Sequence, residues 1–124
     1  MAEDLKNIRL SKHASEIANS IKETGLFDDA KSVAKYAFAY AIKYYPDELT
    51  PEAIESYESV YDSLGNNYNV GSIDDDSFIS DLLSVMYPQN NTPYRYARII
   101  MCFGLNKIGD LYEAGKLFPI NKNL

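Results

Sequence analysis

Several residue types are scarce in this 124-residue chain, which has one cysteine, one histidine and no tryptophan. A single thiol cannot close an internal disulfide, and one histidine with one cysteine leaves too few soft ligands for a zinc site. Cys102 sits in the apolar stretch from Ile99 to Leu105 and reads as a small buried hydrophobe. No run approaches the roughly 18 apolar residues of a membrane span. The opening MAEDLKN lacks the charged-then-apolar layout of a secretory signal. A cytoplasmic protein without a membrane partner is therefore expected. No phosphate-cradling glycine loop and no Ser/His/Asp set is present, so neither catalysis nor a cofactor or metal is expected. The last scarcity is of positive charge: residues 46 to 90 hold no lysine or arginine.

With 46% hydrophobic residues the chain can bury one sizeable core. Its net charge of -6 argues against a surface coated uniformly in positive charge. The acid is concentrated, however. The ten acidic residues of 46 to 90 stand between two stretches with a slight basic excess, so any surface that meets an anion has to come from the two ends.

Leu5 to Leu10 alternates, with Ile8 and Leu10 on one side and Asn7 and Arg9 on the other, the period-2 pattern of a short strand. Ser11 reads as the cap of a helix carrying Ala14, Ile17, Ala18 and Ile21 and stopping at Gly25. Asp28 is expected to cap a second helix whose apolar stripe runs from Val33 to Ile42, until Pro46 stops it. Thr50-Pro51-Glu52 is a strong third start, with Ile54, Tyr57, Val60, Tyr61 and Leu64 as its buried face. Residues 65 to 73 read as a Gly- and Asn-rich loop. A fourth helix is expected to begin at Asp74 to Asp76, with Phe78, Ile79, Leu82, Leu83 and Met86 in the core. The last runs from Thr92-Pro93 to about Gly115, with Gly104 and Gly109 permitting close helix approach or a bend, followed by a loosely held tail.

The fold expected is mainly α: a short N-terminal strand plus two helices, elaborated by about three more. A lone strand leaves backbone donors and acceptors unpaired, and a second copy of the chain would satisfy them about a two-fold axis. Residues 1–45 would then form a ribbon-helix-helix dimerisation segment, with the acidic then basic extension of 46–124 packed as one domain with it. Asn7 and Arg9 would face out on a ribbon that fits the DNA major groove, where Asn can pair with adenine and Arg with guanine. Lys6 and Lys12 flank them as phosphate candidates, and Lys31 joins them from the second helix.

The stretch Asn7-Ile8-Arg9-Leu10-Ser11, followed by a helix, Gly25 and a second helix, resembles the ribbon-helix-helix family that includes the Arc and MetJ repressors. With Lys12, Lys22-Glu23-Thr24-Gly25 and Phe103-Gly104-Leu105, the chain is also similar to the DndE family of the Dnd DNA sulfur-modification (phosphorothioation) system. That resemblance implies a ribbon-helix-helix core with added helices, assembly beyond the dimer, and DNA contact through surface lysines. The Asp28-Asp29 start of the second helix departs from it, because carboxylates there compete with a phosphate for the helix amides.

Other candidates have plainer readings. Tyr36, Tyr40 and Tyr44 recur every four residues and are expected to form a rim of helix packing rather than a platform for single-stranded nucleic acid. Arg95 and Arg98 are expected to pair with the acidic middle, and His13 to lie on the surface. Asp74, Asp75 and Asp76 suit a helix start for dipole reasons and lack EF-hand spacing. The function expected is a small, homo-oligomeric DNA-binding or DNA-associated accessory protein, of a DNA-modification system or a transcriptional repressor. The alternative is a non-catalytic interaction adaptor or scaffold subunit that meets a basic protein partner through residues 47–81 and leaves DNA alone.

Overall fold

The computed structural model describes residues 4–113, so the end of the last helix near Gly115 and the tail that follows lie outside the described residues. Ser11 caps α1 (Lys12–Lys22) as expected, its hydroxyl accepting from the Ala14 amide at 3.2 Å. Helix α2 (Ala30–Tyr44) is capped by Asp29, one residue later than expected, through a 2.8 Å bond from the Ser32 amide. That bond holds the Asp29 carboxyl below its ordinary range. After a 3-10 turn at Pro46–Glu48, Thr50 caps α3 (Pro51–Val60), with Pro51 in its first turn.

Between α3 and the next helix the chain departs from the expected loop. Residues Asn67–Asn69 form β2, which pairs antiparallel with β1 (Asn7–Arg9) in the register Asn7↔Asn69, Ile8↔Tyr68, Arg9↔Asn67. The bonds from Leu10 N to Asn66 O at 2.8 Å and from Val70 N to Lys6 O at 3.0 Å continue the pairing on both sides. The strand that lacked a partner in the sequence is thus completed by its own chain. This removes the pairing requirement from which a dimer was inferred. A short α4 (Val70–Ile73) follows directly, then α5 (Phe78–Met86) and the long α6 (Pro93–Glu113).

Helix α6 is the axis of the molecule, packing along α2, α1, α5 and α3 and touching β1. It approaches α2 closely at Gly104: a Cβ there would lie 2.1 Å from the Ala37 carbonyl oxygen, so only glycine admits the contact. Ile8 and Leu10 are fully buried in the same apolar cluster as Ala14, Ile21, Phe38, Ile100 and Leu105. Cys102 is buried as expected. Burial pushes its thiol up, and its sulfur accepts from the Ser11 amide at 3.4 Å.

Two expected core faces are not core. Helix α3 ends at Val60, so Tyr57, Val60 and Leu64 stay exposed and only Ile54 is buried within it. Helix α5 begins at Phe78 rather than at the aspartates, which leaves Phe78 outside while Ile79 and Leu83 are buried. The reason lies in Asp74. Its buried carboxylate accepts from the amides of Ile79 at 2.8 Å and Ser80 at 3.1 Å and from the Tyr94 hydroxyl at 2.8 Å, fixing where α5 starts.

Candidate nucleic-acid interface

In an antiparallel pair, side chains of directly opposed residues share a face. The register therefore puts Asn7 and Asn69 side by side, and next to them Arg9 and Asn67, all four exposed. Ile8 faces the core opposite the half-buried Tyr68. The result is a short two-stranded ribbon with an apolar underside and an outer face of three amides and one guanidinium. The face carries no carboxylate.

Several contacts set the posture of this face. Arg9 Nη1 donates to the Gly65 carbonyl at 3.2 Å, which uses one of its five donors. Asn69 Oδ1 accepts from the Gly71 amide at 2.8 Å, a bond that does not use its amide donors. The edge of β1 is closed in part: the Tyr61 hydroxyl donates to the Arg9 carbonyl, and burial pushes the Tyr61 phenol up to about 12. Tyr61 is itself covered by the Arg98 guanidinium, 4.5 Å above its ring, and Arg98 pairs with Glu58 at 2.5 Å. Arg98 thus meets the acidic middle as expected.

The sequence candidates are distributed as follows. Asn7 and Arg9 share the ribbon face, and Lys6 and Lys12 are exposed at its two ends. Lys31 reaches α4, the turn that follows β2, where its Nζ donates to Ser72 Oγ at 2.8 Å. Asp62 lies beside Lys12, its Oδ1 accepting from the Lys12 amide at 2.9 Å and the Leu64 amide at 3.1 Å. Sequence reasoning missed Asn67 and Asn69. The signal was a two-residue alternation, Asn67-Tyr68-Asn69-Val70, obscured by turn-forming composition. At the start of α2 the Asp29 carboxylate occupies the Ser32 amide, the kind of donor a phosphate would need there.

Tyr36, Tyr40 and Tyr44 lie along α2 in a continuous aromatic series with Phe27, Tyr45, Phe103 and Tyr57, at neighbouring ring-centroid separations of 4.8 to 6.2 Å. These rings pack on one another, as a helix rim does. His13 is exposed. Among the described residues no three His, Cys, Asp or Glu side chains converge as a metal site requires, and no helix is long and apolar enough to cross a membrane.

Comparison with family models, curated proteins and solved structures finds no match to this chain. None of these comparisons identifies a ribbon-helix-helix or Dnd family.

Proposed function

We propose that this chain is a DNA-associated accessory protein that contacts the duplex through the β1–β2 ribbon. The observation that carries the proposal is the register: it gathers Asn7, Arg9, Asn67 and Asn69 on one exposed, carboxylate-free face. A two-stranded ribbon has the width of the major groove, and Asn and Arg are the side chains that make paired hydrogen bonds to adenine and guanine edges. Lys6 and Lys12 at the ends, with Lys31 beyond β2, supply phosphate contacts that set the register on DNA. The segment that provides β2 belongs to the acidic middle, yet residues 63 to 73 carry no charge. A second copy is not needed to complete the ribbon. Service in a DNA-modification complex is the narrower form of the proposal and rests on the resemblance carried by the segments Asn7 through Lys12, Lys22 through Gly25 and Phe103 through Leu105.

The test is anisotropy of labelled intact and nicked duplexes titrated with the full chain across a salt series. Binding is expected at about 50 mM salt, with log K falling against log salt with a slope of about -3 for three phosphate contacts. Arg9→Ala and Asn67→Ala should weaken binding, and Lys12→Ala should lower the slope. No binding at about 50 mM salt, or binding indifferent to Arg9→Ala, overturns the proposal.

A further inference from the structure

Helix α5 has two apolar sides and only one is fully buried inside the molecule. Ile79 and Leu83 are 1% exposed and pack into the core. Phe78, Leu82 and Val85 follow at i, i+4 and i+7 on another side, with Phe78 54% and Val85 79% exposed and Leu82 half-buried. With Asp76 and Asp81 they line a shallow open groove of about 470 Å³.

The exposure of Phe78 is built into the backbone. Its amide donates to Asp76 Oδ1 at 3.1 Å, and the next two amides are held by Asp74. Ser77, just before it, takes a left-handed φ of 61°. Rotating α5 to bury Phe78 would break the Asp74 bonds. A protein that holds a phenylalanine and a valine in water on one short helix presents a contact surface.

Charge identifies the occupant. Asp76 and Asp81 are exposed beside the stripe, Asp75 is exposed next to Asp76 in the chain, and no lysine or arginine occurs anywhere from residue 46 to residue 90. Such a rim repels an anionic membrane or a phosphate backbone and attracts cationic side chains. We infer that the Phe78–Leu82–Val85 face of α5 docks an amphipathic helical segment of a partner protein whose apolar side chains alternate with lysine or arginine. This inference is independent of the ribbon proposal, since it uses neither β1 nor β2.

The full chain, isotope-labelled for NMR, is titrated with a synthetic amphipathic helix of leucine and lysine, and in parallel with its leucine and glutamate counterpart. Amide shifts centred on α5 are expected with the lysine peptide only. Phe78→Ser with Val85→Ser should weaken that binding by about tenfold or more, since both side chains lie outside the core and the fold is kept. Asp76→Lys with Asp81→Lys should reverse the preference toward the glutamate peptide. The inference is overturned by equal binding of the two peptides, by shifts that spare α5, or by an affinity indifferent to the serine pair. It is equally overturned by a concentration-dependent dimer that the serine pair abolishes, which would make a second copy the occupant.

Discussion

The hydroxyl of Tyr61 donates to the backbone carbonyl of Arg9, joining the segment after α3 to the outer edge of the first strand. In the observed register Asn7 and Arg9 direct their backbone groups away from β2, so this contact occupies part of the edge a neighbouring chain would use. Tyr61 thus serves the ribbon from behind, through the backbone of the residue whose guanidinium faces out.

The Tyr61 phenol gives a dependence on alkaline pH with a defined sign. Its folded value is raised above the unfolded one of about 10, up to about 12, chiefly by burial. The stabilisation is therefore complete below about pH 10 and is lost as pH rises through the folded value, when the phenolate can no longer donate to Arg9. Denaturation midpoints followed between these limits should fall more steeply for the native chain than for Tyr61→Phe. Parallel curves for the two proteins would refute the assignment.

Pairing within one chain can be tested covalently. Asn7 and Asn69 form a pair without mutual backbone bonds, in which Cα atoms lie about 4.5 Å apart, inside the range a disulfide spans. In a Cys102→Ser background, Asn7→Cys with Asn69→Cys should oxidise to a bridged monomer on non-reducing electrophoresis. A covalent dimer as the main product would show that the strand is exchanged between copies.

Gly104→Ala should destabilise the fold by about 1–3 kcal/mol, as overpacking does, although alanine is the better helix former. The new methyl would meet a backbone carbonyl of α2, which cannot swing aside as a side chain can. Urea unfolding measures this, and a midpoint equal to or above the native one would contradict the packing described.

Asp74→Ala removes an acceptor from two amides and one hydroxyl and should cost about 1–3 kcal/mol. Tyr94→Phe deletes only the hydroxyl bond and should cost less. Because both changes remove that same bond, the double variant should be less destabilised than the sum of the two, and full additivity in thermal melts would separate the residues.

Much of the helical framework is legible in the sequence because its signals are local. Ser11 and Thr50-Pro51 cap the helices they precede, the α2 stripe from Val33 to Ala41 is buried, and Ile8 and Leu10 point inward from a two-residue alternation. What was illegible depends on distant partners. Strand β2 is three residues long, two of them turn-forming asparagines, and exists because the Ile8 backbone lies opposite Tyr68, far away in the chain. Asp74 looks like a helix residue, but it acts as a cap for amides five and six positions on and as an acceptor for Tyr94. The outward Phe78, Val60 and Leu64 carry the same apolar signal as buried residues, since periodicity ranks faces without saying what lies opposite them. Half of the candidate ribbon face, Asn7 and Arg9, came from local alternation; Asn67 and Asn69 came only with the register.

A contact made by Asp4 also constrains when the fold can form. Asp4 accepts from the amides of Tyr94 at 3.0 Å and Arg95 at 3.2 Å, capping a helix that lies 90 residues further along. During synthesis the segment that carries β1 must wait for α6 to leave the ribosome before that contact can close. Until then the apolar Ile8 and Leu10 lack the helix they pack beside, which leaves them open to aggregation and proteolysis in the nascent chain.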